Sequence, residues 1–327
     1  MTGESAITVI SSTNLRRLIP MAAAISAVRD AFIAIERGEI EQPQRLVARD
    51  GALVLMTAGD VSGGGDVVKI LSVTPENRTR QIPTVQGLVL WFDTKTGRPS
   101  LVIEGSALTS LRTGAATGVA TDLLADPAAS SLAVIGTGAQ AMDQIRAVAT
   151  VRRITEVRVA SRQFAHARDF VMLHSSEIPE ATWKAFRLPT EAVADSDIIC
   201  CATTAVAPLF SVHDCGPEVH VNAIGSYRAN MCELNGDLLR SASILAVDLR
   251  SAALEEAGDI IQALDAGAIS GDSLVELGHL LVAKNVRRHG RTVFKSVGIA
   301  AQDWAIANLA AANASHSTDL PRLDLGL

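Results

Sequence analysis

The chain has 327 residues, of which 48% are apolar and 20% charged, enough for two ordinary domains with sizeable cores. Its net charge is −6 and no run of Lys and Arg stands out, which argues against nucleic acid or an anionic membrane as a partner. The N-terminal MTGESAITVISS has no basic segment leading into a long apolar core, and no apolar run reaches the ~20 residues of a membrane span. A cytoplasmic location is therefore the default expectation.

Pro20 to Glu36 is predicted helical. Met21, Ala24, Ile25, Val28, Phe32 and Ile35 recur at helical spacing, and Gly38 marks the end. Short strand-like runs follow at Ala52–Met56, Asp66–Val73, Thr84–Phe92 and Ser100–Glu104. They are separated by the turn-rich segments AGDVSGGGD, TPENRTRQIP and DTKTGRP, so an antiparallel sheet in an α+β unit is expected. The segment SALTSLRTGAATGVATDLLA is rich in small residues and reads as a closely packed helix joining two domains, ended by Asp126-Pro127.

Strands and helices then alternate. The strands are Leu132–Ile135, Val157–Ala160, Trp183–Leu188, Ile198–Ala202, His220–Ile224 and Ile244–Val247. Between the first four lie helices at Ala139–Thr150, Phe164–His174 and Glu191–Ala194. This rhythm predicts an α/β, Rossmann-type doubly wound parallel sheet. From about Ile299 the chain is Ala-rich and helical, with a hint of return to the first domain. Cys200, Cys201, Cys215 and Cys232 form neither a CxxC pair nor a Cys/His cluster. They read as small buried hydrophobes of a reducing compartment, and no metal site is expected.

The first strand of the alternating series runs into Gly136-Thr137-Gly138-Ala139-Gln140-Ala141, a G-x-G-x-x-A pattern at the start of a helix. Gly136 permits a tight turn, Gly138 lets a pyrophosphate approach the backbone over the helix N-terminus, and Ala141 allows close helix–sheet packing. The second strand ends in Ala160-Ser161-Arg162 rather than in an acid. Ser161 removes the carboxylate that would repel a 2′-phosphate, and Arg162 is either that phosphate's partner or a solvent-exposed loop residue. The expectation is NADPH, with NADH accepted.

Three cations of the N-terminal part need explanation: Lys69 inside the apolar run VVKIL, Arg45 in QPQRLV, and Arg112 on the small-residue helix. Each either reaches solvent along its stem or requires a buried partner.

The ordered set QPQRLV, VVKILSV, IPTVQG, SLRTGAATGVA, AVIGTGAQA, CATT and HVNAIGSYRANMCEL resembles the ornithine cyclodeaminase/mu-crystallin family over nearly the whole chain. The resemblance implies a substrate-binding and dimerisation domain, 1–115 with 300–327, and a dinucleotide-binding domain, 116–299. It implies a homodimer. It also implies that Arg45, Lys69 and Arg112 hold a substrate carboxylate between the domains, with Lys69 and Arg112 in catalytic roles. Thr84, Arg112, Thr113, Gly138, Ala139, Ser161, Arg162, Thr203, Gly225 and Ser296 would lie near the cofactor, with Ser296-Val297-Gly298 beside the nicotinamide.

Two departures discriminate within the family. Val54 stands where the cyclodeaminases carry a carboxylate for a distal ammonium, and Tyr227 stands at the position of their catalytic Asp. The stretch GSYRANMCEL resembles instead the Δ1-pyrroline-2-carboxylate and ketimine reductase branch. Reduction of a protonated cyclic imine needs no base for ammonia expulsion, only a clamp, an oriented ring and exclusion of water. The expected reaction is NAD(P)H-dependent reduction of a cyclic α-imino acid to proline or pipecolate. Lys69 is the candidate donor of a proton to the imine. Tyr227 packs on the ring, hydrogen-bonds the imine, or serves as a structural residue at a strand end. The alternatives are an amino-acid dehydrogenase of the alanine dehydrogenase type, an ornithine cyclodeaminase, and a binding protein for NADPH and a small carboxylate.

Overall fold

The computed structural model describes residues 6–80, 82–283, 286 and 288–326, with Arg78 described by its backbone alone. The first five residues of MTGESAITVISS and Gln81 of TPENRTRQIP lie outside the described residues. Two compact units emerge, Met1–Arg112 with Ile299–Leu327, and Thr113–Gly298. The breaks thus follow Arg112 and Gly298, against the expected breaks after 115 and 299.

The first unit opens with β1 (Ala6–Ile10) and α1 (Ser12–Leu18), the latter capped by the Ser11 hydroxyl, which accepts from Asn14 N at 3.3 Å. In α2 (Met21–Glu36), Ala24, Ile25, Val28, Ala31 and Phe32 form a buried stripe. Then come β2 (Ile40–Glu41), β3 (Leu46–Ala48), β4 (Leu53–Asp60), β5 (Asp66–Val73), β6 (Val85–Asp93) and β7 (Arg98–Glu104). The β4–β5 turn is made by Asp60, whose Oδ1 accepts from Ser62 N at 2.7 Å, and by Gly63 and Gly65 at φ +97° and +128°. α3 (Gly105–Leu124) carries the small residues onward.

The second unit alternates as expected: β8 (Ser131–Ile135), α4 (Ala141–Val151), β9 (Glu156–Ala160), α5 (Phe164–His174), β10 (Thr182–Phe186), α6 (Pro189–Val193) and β11 (Ile198–Cys201). β12 (Val206–Phe210), β13 (His220–Ala223), β14 (Cys232–Leu234), α7 (Gly236–Arg240), β15 (Ile244–Val247), α8 (Arg250–Glu256), α9 (Gly258–Asp265), β16 (Leu274–Glu276), α10 (Leu277–Ala283) and β17 (Thr292–Lys295) complete it. The main sheet is wholly parallel, in the order β10-β9-β8-β11-β13-β17-β15-β16. Its faces are covered by two apolar clusters, one including Ile135, Ile199 and Val221, the other Leu132, Ile145 and Val157. Burial of each such side chain contributes roughly 1.5–3 kcal/mol. The chain order reverses between β8 and β11, and the carboxyl ends of strands at such a reversal are where open α/β sheets bind their ligands. All four cysteines are buried and free, as small hydrophobes should be.

The chain then returns to the first unit through α11 (Ala300–Ala314) and β18 (Arg322–Asp324). The first unit's sheet has the order β18-β1-β7-β6-β5-β4-β2, with β3 also on β4. It is antiparallel as expected, except where β1 joins β7 in parallel. α11 packs on α2 and on β4, β5 and β6. Met56, Val67, Lys69, Leu71, Val89 and Ile103 are buried, while Ile70 and Leu88, paired across β5 and β6, are exposed. Among the described residues no single helix is long and apolar enough to cross a membrane.

Candidate active site

Strand alternation puts Lys69 on the buried face of β5, opposite Met56 of β4 and Val89 of β6. Its side chain has no exit to solvent, at 0% exposure. The partner that burial demands comes from the first turn of α11: Lys69 Nζ lies 2.5 Å from Asp303 Oδ2, and both side chains are 1% exposed. A carboxylate in that first turn also faces the positive end of the helix dipole. Arg112 meets the same carboxylate, with Nε 3.2 Å from Oδ1, and donates from its Nη1 to Gln302 Oε1 at 2.6 Å. Gln42 Oε1 accepts from Ala301 N at 3.1 Å, so three consecutive residues of the turn are each tied to an N-terminal part of the same unit.

Burial pushes the Lys69 ammonium down to about 7. Asp303 pulls the other way, and Arg112 and Arg45 add to the depression. Arg45 is half-buried just before β3 and close enough to act on Lys69 electrostatically. Lys69 and Arg112 present two buried positive charges to one carboxylate, and the excess favours a further anion. Thr84 is half-buried at the entrance to β6, its carbonyl accepting from Thr74 N at 2.8 Å. Val54 sits on the same face of β4 as Met56 and opposite Leu71, an apolar position.

In the second unit the β8–α4 loop fits a dinucleotide pyrophosphate. Gly136 has φ +106°, and a Cβ there would lie 2.5 Å from the Ala202 carbonyl, so the turn itself requires glycine. A Cβ at Gly138 would meet nothing within 4 Å, so this glycine leaves the backbone open to a ligand. Ala141 N donates to Gly138 O at 3.0 Å, and α4 starts at Ala141, two residues later than expected. Gly138 and Ala139 are exposed, while Gln140 is half-buried. Beyond β9, the Thr137 hydroxyl donates to Ser161 Oγ at 3.3 Å, and Arg162 is exposed. Thr113 is buried on α3.

Sequence reasoning missed the acids that shape the remaining loops. The Glu233 carboxylate accepts from Thr203 N at 2.7 Å and Thr203 Oγ1 at 2.8 Å through Oε1, and from Gly225 N at 2.8 Å through Oε2. One buried side chain thereby fixes the turns after β11 and β13. Burial raises its carboxyl, against the pull of Lys295 and with the push of Asp259. Asp259 is the ion-pair partner of Lys295 at 2.9 Å, both side chains wholly buried. Asp248 Oδ2 accepts from Ser296 Oγ at 2.8 Å, Val297 N at 3.0 Å and Gly298 N at 2.7 Å, setting the loop after β17. Lys295 in Thr-Val-Phe-Lys carries the signal that betrayed Lys69, a charge in an apolar strand. Tyr227 corrects one reading: it lies in a loop four residues past β13 rather than at a strand end, half-buried against the core, with Arg228 over its ring at 5.6 Å.

Residues 6–318 match the family model described as ornithine cyclodeaminase/mu-crystallin. The chain belongs to the ornithine cyclodeaminase/mu-crystallin family. Within it, the chain is 36% identical over 244 residues to a Δ1-pyrroline-2-carboxylate reductase of Bacillus cereus, covering 73% of this chain and 74% of the relative. The Thermococcus litoralis Δ1-pyrroline-2-carboxylate reductase, solved with NADH and L-proline, superposes with a TM-score of 0.92 at 30% identity, over 97% of this chain and 100% of that one. An archaeal alanine dehydrogenase dimer with bound NAD superposes with a TM-score of 0.89 at 27% identity, over 98% and 99%. Imine reduction and amino-acid dehydrogenation, both raised by the sequence, thus each have representatives of this fold.

Proposed function

We propose that this family member reduces cyclic α-imino acids, Δ1-pyrroline-2-carboxylate to L-proline or Δ1-piperideine-2-carboxylate to L-pipecolate, with a nicotinamide dinucleotide. The observation that carries the reading is the buried pair Lys69 and Arg112 around one carboxylate, on a face where Val54 offers no anion to a second amine. Resemblance to imine reductases supports it.

When bound, the reduced nicotinamide supplies a hydride. Gly136, Gly138 and the start of α4 would hold the pyrophosphate, and the loops set by Glu233 and Asp248 would flank the rest. Arg112 and Arg45 bind the substrate carboxylate, and a guanidinium suits that planar group. Lys69 holds a proton for the ring nitrogen. Its N–H bond breaks as the imine N–H forms, and Lys69 takes up a proton again from water that enters as product leaves, before the next turnover. Arrival of hydride at C2 turns the iminium into a neutral secondary amine, so no further acid is required at carbon.

We further propose NADPH as the preferred reductant with NADH accepted, supported by Ser161 and exposed Arg162 after β9. A homodimer is supported by the exposed apolar positions Leu46, Ile70 and Leu88 of the first sheet. The test is oxidation of NADPH and NADH by the purified protein with each cyclic imino acid, beside pyruvate plus ammonia. Rapid turnover of the cyclic imines supports the reading. Preference for pyruvate plus ammonia would move the chain to the dehydrogenases, and cofactor binding without turnover would make it a binding protein.

A further inference from the structure

We propose that Asp303 is the positioning residue of Lys69: its buried carboxylate directs the ammonium and keeps it charged for the ring nitrogen. The inference rests on the imine-reductase reading for its chemistry and on the geometry of the first unit alone for its residue.

Three observations converge. First, Lys69 is wholly buried on an apolar sheet face, where an ammonium without a counter-ion would lose its proton. The groups facing it are Met56 of β4, Val89 of β6, Asp303 of α11, and the cations Arg112 and Arg45. Asp303 is the group in this set that favours the charged form. Second, Asp303 is held on both sides, Oδ2 by Lys69 and Oδ1 by Arg112, so it spaces the proton donor from the carboxylate binder. Third, the turn carrying Asp303 is itself fixed, by Gln42 at Ala301 N and by Arg112 at Gln302. Such a supported shell holds a reacting side chain in one geometry. The substrate carboxylate adds a second anion to the same cations.

The experiment compares Asp303→Asn, Lys69→Met and the double variant with the unmutated protein. Reduction of Δ1-pyrroline-2-carboxylate is followed from about pH 6 to about pH 9, and dinucleotide binding by fluorescence. The alkaline limb of kcat/KM should move to lower pH by at least ~1 unit in Asp303→Asn, with a loss of at least ~tenfold at pH 8 that shrinks toward pH 6. Dinucleotide affinity should stay within about twofold. In the Lys69→Met background, Asp303→Asn should add less than about twofold, because residues that act as a unit are non-additive. An unmoved limb, or a full additive loss in the double variant, overturns the proposal. If Asp303→Asn does not fold, Asp303→Glu, which keeps the charge, must leave the limb in place; a displaced limb there overturns it. Calorimetry with pyrrole-2-carboxylate, a planar ring acid that cannot be reduced, separates this inference from the functional reading. Its binding should weaken at lower pH in Asp303→Asn than in the unmutated protein even if no imine is turned over, and identical pH dependences overturn the role of Asp303.

Discussion

Lys69 and Asp303 meet at 2.5 Å with 1% of either side chain exposed, an ion pair buried away from bulk solvent. Breaking such a pair from one side strands a buried charge, at a cost of about 3–5 kcal/mol. On the proposed mechanism, the site's chemistry and its stability are therefore coupled at the same two side chains.

The clamp gives the first expectation. Lys69→Met and Arg112→Leu should each lower kcat/KM for the cyclic imino acid at least ~tenfold, ~1.4 kcal/mol or more. Dinucleotide binding, read by fluorescence titration, should survive Lys69→Met. Full activity of that variant would exclude Lys69 from the reaction.

The pH dependence follows from the Lys69 ammonium, which burial depresses to about 7. The proposed mechanism draws on the protonated form for reduction, so kcat/KM should fall as pH rises through that region. Oxidation of the cyclic amino acid needs neutral Lys69 and should rise over the same range. Rate–pH profiles in both directions check this, and parallel profiles would contradict it. The stability sign is separate: a lysine lowered in the folded state leaves the unfolded chain binding more protons between about 7 and its ordinary value of 10.5, so this group's contribution to stability rises with pH across that window.

Much of this was legible because the sequence stated it locally. Asp66–Val73 and Phe164–His174 appear with the expected bounds, and the glycine turn at Gly136 explains itself once its φ is positive. Ala6–Ile10 and Thr292–Lys295 were not read: Thr8 interrupts the first, and the second has only Val293 and Phe294 between polar Thr292 and Lys295, so neither is an unbroken apolar run. Asp303 is a lone acid in an Ala-rich helix, and nothing near it in sequence names Lys69 as its partner. Glu233 and Asp248 are equally silent, since their partners are backbone N–H groups that only the folded loops bring together.

Glu233 offers a structural test. Glu233→Gln turns one acceptor oxygen into a donor facing Thr203 N or Gly225 N. Unfolding free energy from denaturant titration should drop by about 1–3 kcal/mol, the range for leaving a buried donor unsatisfied. Dinucleotide affinity should weaken as well, because the turns after β11 and β13 lose their common anchor. An unchanged midpoint would show that the loops hold themselves.

Cofactor choice turns on Arg162. NADPH should show a higher kcat/KM than NADH, and Arg162→Ala should narrow the gap by about 1.5–3 kcal/mol if the phosphate pair is well desolvated. A clear NADH preference in the unmutated protein would remove Arg162 from the site.

Cyclodeamination should be absent. A distal ammonium would meet Val54 among apolar neighbours and lose hydration without gaining a counter-ion. Tyr227 supplies no carboxylate in the loop after β13. L-ornithine with NAD should give neither proline nor ammonia above background. Steady proline formation would mean that another acid, Glu233 or Asp303, serves instead.

The most direct measurement is transfer of deuterium from C4-deuterated NADPH to the cyclic imino acid, read by mass spectrometry of the product. The account predicts L-proline or L-pipecolate carrying the label at C2, formed by the unmutated protein and depleted at least ~tenfold with Lys69→Met. Unlabelled product, or label appearing in alanine from pyruvate and ammonia while the cyclic imines stay intact, would contradict it.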